Sequence, residues 1–165
     1  MKDKTGSMVA IYFGESKPED EDLYMERLIE ELNEVIETGI DTDGEHFVVS
    51  LKCFICDTPA LSFLKCTVGH KAKFACERCK VEGEILERRT VYPSVDAAER
   101  TDASFRNQTQ LRHHNGISPL LRILPLINII SIFVLDSMHL LYQGIMKKLL
   151  DYWFEQGANR LIACW

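Results

Sequence analysis

Apolar and polar residues alternate along the first third of the chain in a pattern that predicts strand, helix and strand. Residues 8–13 form a β-branched and aromatic run closed by Gly14, which is typical of a central strand. Between residues 22 and 38 the apolar positions recur every three or four residues, which predicts an amphipathic helix ending at Gly39. Residues 46–56 predict a second strand. This order indicates a βαβ unit, whose two strands would be adjacent and parallel.

Asp57 directly follows the second predicted strand. Carboxylates that take part in chemistry often lie just past the carboxyl end of such strands, where the sheet opens into a crevice. An Asp at this place is also common in ordinary turns, so the position alone leaves both interpretations open. Residues 59–66 then predict a short apolar helix or turn that begins with Pro59.

The pattern changes twice further along the chain. Residues 67–116 carry charged clusters and many turn formers, which predicts an insertion with little regular structure. Residues 117–165 are apolar and predicted to be helical, with a clear 3.6-residue period over 136–152. We therefore expect three parts: a partial α/β core over 8–66, the insertion over 67–116, and a helical segment over 117–165. Apolar sequence close to both ends favours a chain truncated on both sides.

Composition narrows the class of protein. The net charge is −6, with 25 acidic and 19 basic residues, which argues against a surface that coats DNA generally but not against one local contact. The longest apolar run, residues 120–135, is interrupted by Arg122, Pro125 and Asn128, whereas a membrane helix needs about 20 apolar residues. Residues 1–7 do not resemble a signal peptide. We expect an intracellular protein that is neither secreted nor membrane-bound, whose six cysteines are thiols or metal ligands rather than disulfides.

Two CxxC motifs, Cys53/Cys56 and Cys76/Cys79, have the spacing of a four-cysteine zinc ribbon. The first pair lies in strand-like sequence, where residues three apart point to opposite faces, so we interpret it as two small buried hydrophobic residues. The second pair lies in turn-prone sequence, where two thiolates can converge on one ion. A redox motif or two inert cysteines are the alternatives for that pair.

Two cysteines do not complete a zinc site, so further ligands must come from elsewhere. The candidates are His70, His113, His114 and His139, with Asp136 as a possible oxygen ligand. Asp136 also lies where the helical pattern begins, so it is equally suited to cap that helix while His139 packs.

Several short segments together resemble transposases of the CACTA (En/Spm) and related groups. They are Phe-Ile-Cys-Asp-Thr-Pro-Ala at 54–60, Gly-His at 69–70, Cys-Glu-Arg-Cys-Lys-Val-Glu-Gly at 76–83, Phe-Arg-Asn-Gln at 105–108, Gly-Ile-Ser-Pro-Leu at 116–120 and Leu-Asp-Ser-Met-His-Leu at 135–140. The resemblance spans about residues 9–150. No single motif decides it, but the order of Asp, CxxC and Asp-x-x-His is specific.

The resemblance implies a partial RNase H-like core, in which three acids would hold Mg²⁺ or Mn²⁺ for cleavage and joining of DNA. Asp57 matches the second acid, while no residue is assigned to the first or third. Cys76, Cys79 and His139, with Asp136, match paired motifs that frame an insertion and would bind a structural Zn²⁺. The implied function is a fragment of a nuclear DNA transposase that acts on transposon ends and is inactive alone. A homo-oligomer is among the assemblies that the resemblance implies. The alternative is a domesticated, non-catalytic, zinc-stabilised module that binds DNA or protein.

Overall fold

The computed structural model describes residues 15–16, 18–94 and 96–154. The predicted strand at 8–13 lies outside these residues, and so does its pairing. No helix in the described ranges is both long and apolar enough to span a membrane.

The first helix forms where the periodicity predicts it. Helix α1 spans Glu21–Thr38. Asp20 is its N-cap, and the Asp20 carboxylate accepts a hydrogen bond from the Leu23 N–H at 3.0 Å. It ends at Gly39, which has a φ of +72° and would bring a Cβ within 2.6 Å of the Phe47 carbonyl oxygen. Only glycine adopts this conformation readily at such close approach, so the stop is local and steric.

The second predicted strand is divided between two separate pairings. Residues Ile40–Thr42 (β1) and Glu45–Phe47 (β2) form an exposed antiparallel hairpin, and residues 48–53 form no strand. Phe54–Ile55 (β3) pairs in parallel with Phe133–Val134 (β6), a strand within the segment that the pattern predicts to be helical. The prediction of one continuous strand over 46–56 is wrong. Asp43 and Gly44, both with positive φ, form a tight turn that pairs Glu45–Phe47 back onto Ile40–Thr42 instead.

The core joins the first helix to the second half of the chain. Met25 and Ile29 of α1 pack with Phe105 of α3 (Asp102–Arg106) and with apolar residues from the segment that precedes β6: Leu120, Ile123, Ile129 and Phe133. Asn33 fixes this contact from outside the core, because its side chain donates to the Arg122 carbonyl at 3.0 Å and accepts from the Leu124 N–H at 2.8 Å.

The insertion contains more regular structure than its composition predicts. Helix α2 (Thr58–Leu64) leads into it, and Glu84–Leu86 (β4) and Arg89–Val91 (β5) form an antiparallel hairpin. Helix α3 begins at Thr101, whose side chain and that of Ser104 form a reciprocal capping box. Short 3-10 helices follow at Leu111–His113 and Pro119–Arg122.

The last described element is a long helical segment. Met138–Met146 has π-helical hydrogen bonding and continues into α4 (Lys147–Phe154). The helix predicted from residue 136 onward is thus confirmed. Within this described segment, however, no residue is buried.

Candidate functional site

Asp57 and Asp136 lie at equivalent positions just after the two strands of the short parallel pair β3–β6. Phe54 and Ile55 of β3 face Phe133 and Val134 of β6, and Asp57 and Asp136 each follow their strand by two residues. Because the strands are parallel, both carboxylates emerge at the same edge. Their proximity is visible in Cys56, whose thiol pKa is raised by burial and then by the charges of both Asp57 and Asp136. This edge is a candidate site for a cation.

Asp57 is held by the start of α2. Its Oδ1 accepts a hydrogen bond from the Ala60 N–H at 2.8 Å, which makes it the N-cap of that helix. The same residue borders an open apolar cavity of about 300 Å³ that is also lined by Tyr24, Pro59 and Phe63. The carboxylate is therefore half-buried and fixed in orientation, while its remaining acceptor positions can still meet an ion.

Asp136 and His139 form a pair on the first turn of the last helical segment. Asp136 Oδ1 accepts from the Met138 N–H at 2.9 Å, and its Oδ2 lies 2.5 Å from His139 Nδ1. The hydrogen bond and charge of Asp136 raise the pKa of the His139 ring, to which the charge of Asp57 adds. The capping role that sequence left open for Asp136 is present. Its bond to Nδ1 also orients the imidazole as carboxylates orient histidine ligands of metals.

Cys76 and Cys79 face each other across a tight turn. Their sulfurs are 3.3 Å apart, and the Cys79 N–H donates to Cys76 Sγ at 3.4 Å. Burial raises the pKa of the Cys76 thiol, but hydrogen bonds from the backbone of Arg78 and Cys79, together with the Arg100 charge, lower it below its ordinary value. Two thiolates at this separation can each reach one Zn²⁺ over bonds of about 2.3 Å, so the pair fits half of a tetrahedral site.

The predicted zinc ligands lie as two pairs rather than one group. Cys76 lies against Cys79, and Asp136 lies against His139. Across the described ranges, no three His, Cys, Asp or Glu side chains are arranged to hold a metal ion. The joint zinc site therefore stays a prediction. His113, another candidate ligand, is buried with its Nδ1–H donating to the Phe74 carbonyl at 2.7 Å.

A buried polar cluster that sequence reasoning missed lies beneath the CxxC turn. The ammonium group of Lys65 forms an ion pair with Glu77, and Thr67 Oγ1 donates to the other Glu77 oxygen at 3.1 Å. Arg100 reaches the carbonyl oxygens of Cys76 and Cys79, each at 3.2 Å. In the sequence, Lys65 lies between the apolar residues Leu64 and Cys66. That position is a weak signal for a buried lysine.

The comparisons with known proteins add one match. The family model described as Plavaka transposase matches residues 23–154, which include both aspartates, the CxxC turn and His139. No curated protein and no solved structure matches the chain. The match confirms the expectation of a transposase-related chain, whereas the resemblance to the CACTA group and the acidic triad stay predictions.

Proposed function

Because the chain belongs to the Plavaka transposase family, we propose that it is part of the catalytic domain of a DNA transposase, in which Asp57 is a metal-binding carboxylate. The observation that carries the proposal is the edge of the β3–β6 pair, where Asp57 and the Asp136–His139 pair emerge together. That edge is where parallel sheets usually present reactive groups.

The chemistry of the edge suits a hard cation. Mg²⁺ or Mn²⁺ held by carboxylates activates water or a 3′-hydroxyl and stabilises the leaving oxygen of a phosphodiester. Backbone hydrogen bonds of this chain fix the orientation of both carboxylates: the Ala60 N–H donates to Asp57, and the Met138 N–H donates to Asp136. Asp57 is the one residue assigned to the acidic triad, and Asp136 adds a single further carboxylate at this edge. These are too few for a two-metal site, so we expect the isolated chain to bind such ions weakly and not to cut DNA.

Binding of Mn²⁺ tests the proposal without requiring activity. Paramagnetic broadening of amide resonances should be strongest at Asp57, Thr58 and Ala60 and should be lost in Asp57→Asn. Asp43→Asn is the matched control, because Asp43 is an exposed turn residue with a φ of +54°, a conformation that asparagine tolerates. Broadening that is unchanged in Asp57→Asn would refute the assignment.

DNA cleavage provides the second measurement. We expect no nicking or joining of duplex DNA by the isolated chain in Mg²⁺ or Mn²⁺. Metal-dependent nicking that disappears in Asp57→Ala would contradict the expected inactivity and would mean that further acids of this chain complete the site.

A second candidate function is a non-catalytic, zinc-stabilised binding module, which the Cys76–Cys79 turn favours. Its sulfurs lie 3.3 Å apart, and Cys76 Sγ accepts a hydrogen bond from the Cys79 N–H, as thiolate ligands do. Purified protein should then contain about one Zn²⁺ per chain or per pair of chains. Cys76→Ser should lose the zinc, while Cys53→Ser should keep it. Zinc-free wild-type protein, or unchanged zinc in Cys76→Ser, would remove this candidate.

A further inference from the structure

The β4–β5 hairpin lies in a basic part of an otherwise acidic chain. Seven basic and four acidic residues fall between positions 65 and 89, so this stretch carries a net charge of +3 in a chain of net charge −6. Lys65 and Glu77 neutralise each other in the interior. The exposed cations at the hairpin and its base are Lys71, Lys73, Arg88 and Arg89. Three exposed acids lie beside them, Glu82, Glu84 and Glu87, so these four cations exceed the acids by one charge.

The hairpin is braced against the loop that carries the two lysines. Thr90 Oγ1 donates to the Lys71 carbonyl at 2.6 Å, and the Gly83 N–H donates to the Lys73 carbonyl at 2.6 Å. Tyr92 adds a bond from its hydroxyl to the Ala72 carbonyl at 2.9 Å. The loop that carries the two lysines and the hairpin that carries the two arginines are therefore held together as one ordered unit.

The tip of the hairpin is an unusual turn. Glu87 and Arg88 have φ values of +46° and +64°, as a two-residue turn between twisted strands requires. Asn or Gly normally occupies these positions, since other side chains are strained there. Arg88 is thus placed at the outermost point of the hairpin at an energetic cost, although glycine would fit better.

Arg89 projects beside an exposed apolar side chain. It pairs with Leu86 across the hairpin, and opposite residues of an antiparallel pair lie on the same face. Leu86 is 62% exposed and Ile85 is 67% exposed. A charged and apolar two-stranded ribbon of this width fits a groove of duplex DNA.

We propose that the β4–β5 hairpin is a DNA-contacting arm, in which Lys71, Lys73, Arg88 and Arg89 bind phosphates of a duplex. This inference rests on the proposed function, because it takes the partner to be the DNA substrate. Each strand of the hairpin is three residues long, so at 3.4 Å per residue its base and its tip lie about 7 Å apart. That distance is about the rise of two phosphate steps along one DNA strand. The lysines of the loop at the base and the arginines at the tip can therefore reach neighbouring phosphates.

Binding of the full chain to a labelled duplex over a range of salt concentrations tests the arm. Arg88→Gly/Arg89→Ser should lower the affinity about tenfold, and the slope of log affinity against log salt should fall by about 2, because two phosphate contacts are lost. Arg27→Ser/Lys148→Ser removes the same charge from exposed positions on other helices and should change neither quantity. Equal weakening by both double variants would overturn the arm and indicate general charge attraction.

The Arg88→Gly variant separates binding from folding. Glycine relieves the turn conformation, so its melting temperature should equal or exceed that of the wild type while DNA affinity falls. Unchanged DNA affinity in this variant would overturn the role of Arg88. Displacement of the duplex by single-stranded RNA at a lower concentration than by duplex competitor would overturn DNA as the partner.

The two proposals fail in different measurements. Loss of Mn²⁺ broadening in Asp57→Asn with hairpin-independent DNA binding would leave the catalytic assignment and remove the arm. Hairpin-dependent DNA binding without Mn²⁺ at Asp57 would support the arm and remove the catalytic assignment.

Discussion

The buried cluster around Glu77 and the helical segment 138–154 have the opposite exposure from what their compositions predict. Most of the cluster lies in a charged insertion, yet His113 there is 0% exposed, and Lys65, just before the insertion, is 1% exposed. The helical segment is largely apolar, yet Tyr142 is 68% exposed and Phe154 is 80% exposed. The comparison teaches that polar side chains order a segment when they bond to its backbone, whereas periodicity alone predicts a helix and not its burial.

The cluster is ordered by many specific bonds. The Arg100 guanidinium joins the carbonyls of the CxxC turn to Gln110 Oε1 at 2.6 Å, and Gln110 in turn donates to the Lys80 carbonyl at 3.2 Å. The Lys65 ammonium lies 5.0 Å from the Phe105 ring centroid, at the edge of the core. The insertion is therefore tied to the core by these side chains.

The largest effect should come from removing the central anion of the cluster. Glu77→Ala leaves Lys65 buried without its partner, and we expect it to lower the free energy of unfolding by about 3–5 kcal/mol. Glu31→Ala, which breaks an exposed pair with Arg27, should cost less than about 1 kcal/mol. Urea denaturation of both variants measures the difference.

Lys65→Met combined with Glu77→Gln controls for the cause of that loss. Removing both charges should recover part of the stability, because no unpaired ion stays inside. Equal costs for Glu77→Ala and Glu31→Ala would show that the cluster does not order the insertion.

Matched truncations of isoleucine sharpen the contrast between core and helix. Ile129 is 0% exposed, so Ile129→Ala should cost about 2–4 kcal/mol. Ile145 is 49% exposed, so Ile145→Ala should cost about 0.5 kcal/mol or less. Thermal or urea unfolding checks both, and a similar cost at the two sites would mean that the helix is packed in solution.

The elements that the sequence predicted correctly are those fixed by local signals. Helix α1 has an apolar stripe, a capping Asp20 and a terminal Gly39, and α2 has Asp57 and Pro59 at its start. These signals act within a few residues, so they can be read without knowing the rest of the fold.

The elements that were missed depend on partners distant in sequence. Strand β6 is two residues long and exists only because Phe54 and Ile55 lie beside it. The Lys65–Glu77 pair likewise depends on a turn that brings them together from 12 positions apart. Asp57 could be placed at a strand end, but its proximity to Asp136 required the tertiary pairing of β3 with β6.

Acid should weaken the cluster by a smaller amount. Burial, assisted by the charges of His113 and Arg100, lowers the pKa of His114 from 6.5 to about 4, and burial also lowers that of His113. Between pH 4 and pH 6.5, His114 therefore binds a proton more tightly in the unfolded chain than in the folded one. Stability should be complete above about pH 6.5 and fall as the pH decreases, by about 1–2 kcal/mol from pH 7 to pH 5.

Variants of single histidines identify the source of that pH dependence. His114→Gln should flatten the stability profile between pH 7 and pH 5. His70→Gln, at an exposed position, should leave the profile unchanged. A profile that stays equally steep in His114→Gln would assign the pH dependence to other groups.

The smallest effect should appear at the start of the exposed helix. Asp136 accepts from the Met138 N–H and pairs with His139, so Asp136→Ala should destabilise the first turn of the helical segment. Because the helical segment contributes nothing buried, the loss should be local: amide exchange should accelerate at residues 138–141 while exchange in α1 stays unchanged. Asp151→Ala, further along the same exposed segment, is the control and should alter neither region. Faster exchange in both α1 and 138–141 of Asp136→Ala would show that the helix and the core unfold together, which would break the comparison between the two regions.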